Sequence, residues 1–258
     1  MILRPLEDPP SPASGTVPVP LWPLIERSQK TPYSGCWLIT QPAHAATSGE
    51  MAAALAPESF GTIDESLIRA IAMHDFGWSG PDAREVQASR GAKPGKWTPV
   101  HSFLETGAKE VTGIWTASID AAEKIGPAGG WIVSEHFKRV AQQDPRVADT
   151  GFVAAETKRQ GRLASKSGLA EAELLRLTDA LQFCDLLSLY LCCGLQVPVE
   201  FPQQIGGRPI RLTRDTDDIE ACQFDPFPFA GPQVFSVVGI RHPKAASNQS
   251  MFVLSVVK

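Results

Sequence analysis

The sequence predicts a mainly α-helical domain followed by a small β-rich extension, and three observations support this fold class. Apolar residues recur at helical spacing over much of residues 36–195, with glycine or proline at the breaks. Residues 196–258 instead contain short apolar runs between prolines and glycines, which is typical of strands and turns. Residues 1–35 contain eight prolines, which exclude a long regular element and predict a proline-rich arm. We expect the extension to pack on the helical domain.

The individual elements follow from the same patterns. A short strand is predicted over residues 36–40. The predicted helices cover residues 44–55, 64–75, 102–125 with a break near Gly107, 130–143, 149–164 and 170–193. Residues 79–101 contain six glycines and prolines, so a long loop that covers a functional site is predicted there. Later strands are predicted over residues 209–212, 234–238 and 251–257, with a turn at Asn248–Gln249.

Composition excludes several classes of protein. The 258 residues are 43% hydrophobic and 20% charged with a net charge of −4, and the basic residues are scattered, so neither nucleic acid nor a membrane surface is a predicted partner. Five cysteines without a C-x-x-C pair predict reduced, buried thiols in a cytoplasmic protein. The expected partner is a small-molecule substrate, and a homodimer is compatible with the sequence.

The residues that point to chemistry are histidines and aspartates in apolar, helix-like segments. His74 and Asp75 end one such segment, His44 precedes His74 by 30 residues, and Asp185 follows Asp75 by 110 residues. A buried imidazole or carboxylate is costly without a partner, and both are ordinary ligands of Fe, Mn or Zn. Asp185 is the strongest indication because apolar residues surround it in a helix interior. The set predicts one or two divalent transition-metal ions.

Each of these residues also has a simpler interpretation. His74 could be satisfied by the neighbouring carboxylate, with Asp75 capping a turn. His44 could be a capping or exposed residue at a helix start. His136, inside a later helical stretch, either contacts a phosphate or a second metal ion, or is a core histidine with a backbone partner. The sequence by itself leaves these alternatives open.

Further polar and aromatic residues are candidates for substrate contact or for support of the ligands. Gln41 and Gln182 each precede a candidate ligand by three residues, a spacing that places them beside it on a helix. Trp78 could line a pocket or anchor the loop to the core.

Three other positions are less specific. Lys138, with Arg139, follows His136 by about one helical turn and could bind a phosphate or lie on a solvated helix face. His101 is expected in a loop, and His242 is expected on the surface.

The order His, His-Asp, Asp on successive helices resembles the HD-domain superfamily of metal-dependent phosphohydrolases. This resemblance implies that the same four side chains bind a metal ion that activates water. Members with two metal ions have further histidines between the pair and the last aspartate, and His101 and His136 occupy that interval. The resemblance therefore makes Asp75, as a bridging ligand, and His136 the catalytic candidates in an HD-like helical bundle.

A closer resemblance is to the bacterial domain-of-unknown-function family 3891, which is uncharacterised. Four segments carry it in order, residues 38–44, 74–78, 134–136 and 181–189. The resemblance covers roughly residues 36–195 and implies a fold without an activity.

The function expected from the sequence is that of a metal-dependent hydrolase of the HD type that acts on a phosphate ester through a metal-activated water. One alternative is a di-iron oxygenase on an HD-like scaffold. Another is a non-catalytic metal- or ligand-binding module. No Walker loop, G-x-G-x-x-G or G-x-S-x-G motif occurs, which disfavours nucleotide-binding folds and serine hydrolases.

Overall fold

A computed structural model describes residues 1–6, 18–31, 33–90, 98–214, 221–243 and 251–256 of the chain. The α-helices of these residues are α1 (Leu21–Lys30), α2 (Gln41–Ala54), α3 (Pro57–Phe60), α4 (Glu65–Ala72), α5 (Ser79–Arg90), α6 (Ala108–Ile125), α7 (Pro127–Gln143), α8 (Phe152–Ser167) and α9 (Glu171–Cys192). Short 3-10 helices lie at Phe76–Trp78, Phe103–Glu105 and Pro145–Thr150. The mainly helical fold with a C-terminal β-sheet part is confirmed.

Local signals explain where the helices that position the site begin and end. The Thr40 side chain accepts a hydrogen bond from the Ala43 N–H at the start of α2, and Asp64 does the same for Leu67 at the start of α4. After Ala72 the backbone leaves the helix at Met73, with φ −114° and ψ 9°. The next residues therefore lie in a turn, where two adjacent side chains can converge on one point.

Helix α9 lies at the centre of the helical layer. Helix α2 packs on α4 and α9, while α7 packs on α6, α8 and α9. The approach of α2 to α4 is close, because a Cβ atom at Gly49 would lie 2.5 Å from the Ala72 Cβ. Buried residues of these helices and of the sheet next to α9 form one large hydrophobic core.

The strands of the described residues are β1 (Ile2–Pro5), β2 (Val19–Pro20), β3 (Cys36–Ile39), β4 (Val199–Ile205), β5 (Arg208–Arg214), β6 (Cys222–Asp225), β7 (Gln233–His242) and β8 (Met251–Val256). They form two four-stranded sheets, with the orders β1-β3-β7-β8 and β2-β4-β5-β6. The first sheet is antiparallel, and β2 pairs in parallel with β4. Each sheet thus combines strands from early and late parts of the chain.

Two predictions of irregular structure are wrong, for the same physical reason. Residues 79–90 form α5 and not a loop. Gly80 and Pro81 lie in the first helical turn, where the backbone N–H that proline lacks is not needed. The segment before residue 36 contains β1 and the ten-residue helix α1, with Pro23 in its first turn. Residues 91–97 and the predicted turn at Asn248–Gln249 lie outside the described residues.

Two other predictions concern thiols and membranes. All five cysteines are buried free thiols, as the sequence predicts. Within the described ranges, no helix combines the length and the apolar character that a membrane span needs.

Candidate metal centre

Four helical segments bring the predicted ligands together. His44 lies in the first turn of α2, His74 and Asp75 lie in the turn after α4, His136 lies in α7, and Asp185 lies in the middle of α9. All five residues are buried, and none exceeds 9% exposure. Residues 111 positions apart in the chain, such as His74 and Asp185, thus meet in the core.

The ligand atoms of four residues lie within a narrow range of distances. His44 Nε2 is 3.2 Å from Asp75 Oδ2 and 3.3 Å from Asp185 Oδ1. His74 Nε2 is 3.3 Å from Asp185 Oδ1 and 3.6 Å from Asp75 Oδ2. Atoms bound about 2.1 Å from one ion lie roughly 3.0–3.4 Å apart at neighbouring positions. These separations are therefore close to those of a coordination shell.

The candidate ligands form two overlapping groups. His44, His74 and Asp75 make one group, and His74, His136 and Asp185 make the other, with the ligand atoms of each group within 4.8 Å of one another. His136 is the outermost member, since its Nε2 lies 4.0 Å from Asp185 Oδ2. The buried histidines and aspartates could therefore hold a metal ion.

The hydrogen bonds of His44 turn its Nε2 lone pair towards the carboxylates. Ser188, one turn after Asp185 on α9, donates its hydroxyl proton to the Asp185 carbonyl oxygen at 2.9 Å. Its Oγ is then an acceptor for the Nδ1–H of His44, to which it lies close. This assignment leaves Nε2 unprotonated and able to bind a metal ion.

His74 has the same arrangement. Its Nδ1–H donates to the Ile71 carbonyl oxygen at 2.8 Å, so the lone pair of the neutral ring is on Nε2. That atom faces two carboxylate oxygens, which are acceptors, and has no hydrogen-bond partner among the described residues. Three acceptors around one point need a cation between them, either a proton or a metal ion.

The pKa values of the cluster also indicate that a cation is needed between these side chains. Burial alone would lower the pKa of His74, but the carboxylates of Asp75 and Asp185 outweigh it and raise the pKa to about 9. Burial would raise the pKa of Asp185, but His74 and His136 lower it to about 2. Burial lowers the pKa of His136 to about 4, so its ring is neutral at pH 7.

Unsatisfied polar atoms concentrate at this site. In the described part of the chain, six buried side-chain nitrogen or oxygen atoms have no hydrogen-bond partner. Three of them belong to the cluster and its surroundings: His74 Nε2, His136 Nδ1 and Gln41 Oε1. Each such atom costs about 1–3 kcal/mol when nothing binds it. The donor set thus fits a bound ion better than a hydrogen-bonded core.

Ser188 is a functional candidate that the sequence prediction missed, although its spacing of three residues from Asp185 could have indicated it. We expect Ser188→Ala to weaken metal affinity by about 10–100-fold, because His44 loses the acceptor that orients its ring. Isothermal titration with Mn²⁺ measures this change. Thr178→Ala is the matched control, since this buried hydroxyl of α9 bonds the Leu174 carbonyl oxygen. Equal affinities of the two variants would contradict a role for Ser188.

Comparison with known proteins gives the family. The model of the family described as "Protein of unknown function (DUF3891)" matches residues 25–242 of the chain. The chain belongs to the DUF3891 family. Searches of curated proteins and of solved structures found no match. The family match extends through β7, so the DUF3891 unit includes strands of both sheets as well as the helices that supply the candidate ligands.

The candidate metal centre of this DUF3891 protein opens into a cleft of about 1360 Å³. His44, Asp75, His136 and Asp185 line the cleft, and three of the predicted neighbours line it too: Gln41, Gln182 and Trp78. The Gln182 Oε1 atom accepts a hydrogen bond from Arg139 at 2.7 Å, so this glutamine holds a cation of the cleft wall. Gln41 keeps its Oε1 free of described partners.

The other predicted residues lie elsewhere. Lys138 donates to Gln160 at 2.7 Å and is not among the residues that line the cleft, unlike the adjacent Arg139. His101 is 62% exposed and pairs with Glu85, so the structure does not bring it into the site. His242, the last residue of β7, is buried, so the prediction of a surface position is wrong. Its Nε2 lies 2.8 Å from the Thr98 carbonyl oxygen, which gives the buried ring a polar partner.

Proposed function

We propose that this DUF3891 protein is a metal-dependent hydrolase of the HD type that acts on a phosphate ester. One observation supports this proposal above all. Two imidazole nitrogens and two carboxylate oxygens face one another at 3.2–3.6 Å, and their residues line or adjoin a large cleft. A buried cluster of this kind at a cleft is typical of a catalytic metal site.

The residues that would hold the ion are His44, His74, Asp75 and Asp185. Their mixture of imidazole and carboxylate suits Fe, Mn or Zn. A bound divalent ion supplies a water molecule of lowered pKa and polarises a phosphoryl oxygen.

The side chains of the site have further roles in this proposal, as ligands and as contacts to the phosphate. The low pKa of Asp185 keeps its carboxylate ionised at pH 7, so it remains a ligand throughout turnover. His136 is neutral at that pH and lines the cleft, so it can offer a lone pair to a second ion or its N–H to a phosphate oxygen. If two ions bind, Asp75 would be the residue that serves both of them.

The test begins with elemental analysis of protein purified without a histidine tag. We expect a stoichiometric transition metal, and phosphate release from simple phosphate esters when Mn²⁺ is supplied. Treatment with a chelator should remove both metal and activity, and added Mn²⁺ should restore them. Phosphate assays on the metal-free protein are the control.

Other outcomes would replace this proposal with the alternatives. Consumption of O₂ by the protein loaded with Fe(II), without phosphate release, favours a di-iron oxygenase. A tightly retained metal with neither activity favours a non-catalytic module. Absence of metal binding to the purified protein would overturn the hydrolase, the oxygenase and the metal-binding module, and would leave only a module that binds another ligand.

A further inference from the structure

We infer that the cleft of this protein takes a phosphate ester of low charge that carries a bulky apolar or aromatic group, and not a polyphosphorylated ligand. The inference rests on the proposed function for the phosphate end of the ligand. It adds the substrate class, which follows from the size, lining and charge of the cleft beyond the metal centre.

The cleft is much larger than a phosphate group requires. Its volume of about 1360 Å³ exceeds the range of about 300–1,000 Å³ that is common for small-molecule sites. Four candidate ligands line the cleft and are nearly inaccessible to solvent. A substrate bound there through a phosphate leaves most of the cleft for the remainder of the molecule.

Apolar and aromatic side chains form a large part of the cleft wall. Leu186 and Leu189 follow Asp185 on α9, and Phe137 follows His136 on α7. Trp115 of α6 and Phe201 of β4 extend this surface from other elements. Apolar walls of this extent favour an apolar ligand, because each methylene removed from water contributes about 0.8 kcal/mol, which is about a fourfold gain in affinity.

The mouth of the cleft exposes apolar side chains as well. In the described part of the chain, five large hydrophobic residues are exposed: Val19, Trp22, Phe76, Val234 and Val238. Two of them, Val19 and Trp22, line the cleft, with 38% and 41% of their surface exposed. A tryptophan exposed at a cleft mouth is an unfavourable surface that an apolar ligand would cover.

The charges of the lining disfavour a polyanion. Its cationic side chains are Lys30, Arg139 and Arg146, against six carboxylates: Glu26, Asp75, Asp144, Asp179, Asp185 and Glu200. Each cation is paired, Lys30 with Glu26 at 3.3 Å, Arg139 with Asp179 at 2.7 Å and Arg146 with Asp144 at 2.7 Å. A polyphosphate needs several available cations, and each of these already has a carboxylate partner.

Arg139 is the clearest example of a cation that already has partners. It lies one turn from His136 on α7, and its guanidinium also bonds Glu135 at 2.9 Å and Gln182 at 2.7 Å. Among the cations that line the cleft, the one nearest to His136 in sequence is therefore already surrounded by acceptors. In this inference the metal centre binds one phosphate, and the apolar wall of the cleft contacts the rest of the ligand.

The experiment compares ethyl, butyl and hexyl phosphate as substrates of the Mn²⁺-loaded protein, with adenosine triphosphate as the polyanion. The alkyl esters have nearly the same leaving group, so differences in kcat/KM report contact with the chain. We expect kcat/KM to rise about twofold to fourfold per methylene, and hexyl phosphate to exceed adenosine triphosphate. Equal rates for the three alkyl esters, or a preference for the triphosphate, would overturn the inference.

Variants locate the effect in the cleft. Trp22→Ala should reduce the hexyl-to-ethyl ratio of kcat/KM at least threefold, while Trp22→Phe should largely retain it. Val234→Ala is the control, because this exposed hydrophobic residue does not line the cleft, and its ratio should equal that of the wild type. A reduced ratio in Val234→Ala, or an unchanged one in Trp22→Ala, would contradict the assignment.

Binding of non-hydrolysable ethyl- and hexylphosphonate separates this inference from the proposed function. Tighter binding of hexylphosphonate together with no phosphate release from any ester would overturn the hydrolase and support the ligand class. Affinity independent of chain length would overturn the ligand class, whether or not phosphate is released.

Discussion

Replacement of either His74 or Asp185 with alanine is expected to abolish stoichiometric metal binding while the protein stays folded. The two residues contact each other at 3.3 Å, and His74 belongs to both groups of candidate ligands. Loss of one strong ligand from a four-ligand site removes much of its affinity. Elemental analysis and circular dichroism of the purified variants measure metal content and fold.

A conservative change separates ligation from packing. Asp185→Asn keeps the size of the side chain but removes its charge, so it should fold like the wild type and still lose the metal. His101→Ala is the control for histidine removal, because this residue is exposed and lies outside both groups. Full metal content in both His74→Ala and Asp185→Ala would refute the proposed centre.

Gly77→Ala is expected to destabilise the protein by about 1–3 kcal/mol, the usual cost of overpacking, and to impair the metal centre. A Cβ atom at this position would lie 2.1 Å from the Ile114 carbonyl oxygen of α6, a distance that only movement of the backbone can relieve. The Gly77 N–H also donates to Ser118 at 2.9 Å, which holds the turn on α6. Because Asp75 is two residues away, the shift should displace a ligand as well. Denaturant unfolding and Mn²⁺ titration measure both effects.

Gly113→Ala is the control for this change. Gly113 immediately precedes Ile114 in α6, and a Cβ atom there has no neighbour within 4 Å. Alanine should therefore stabilise the helix by up to about 1 kcal/mol without affecting the metal. Equal behaviour of the two variants would show that the close approach at Gly77 does not matter.

Much of the helical layer could be predicted because its signals are local. The helices α6, α7 and α9 have a clear apolar period and end near glycine or proline, so their predicted bounds differ from the observed ones by a few residues. The same holds for the candidate ligands. A charged group within an apolar run, such as Asp185, is unusual enough to be noticed without a structure.

The rest depends on information that the local pattern does not contain. Helices α1 and α5 were missed because proline in the first turn looks like a loop signal when the start of the helix is not known. The pairing of β1 with β3, and of β3 with β7, joins segments far apart in the chain. Contact of the Ser188 hydroxyl with His44 requires two helices to meet at a particular register.

The pairing of β3 with β7 has a consequence for how this protein matures. Strand β3 ends at Ile39, only five residues before His44, and its neighbour β7 begins at Gln233. Every candidate ligand therefore precedes, in the order of synthesis, the strand that pairs with β3 next to α2. A nascent chain that ends before β7 contains all the candidate ligands but lacks the strand that pairs with β3, next to His44. We therefore expect the ability to bind metal to arise late in synthesis.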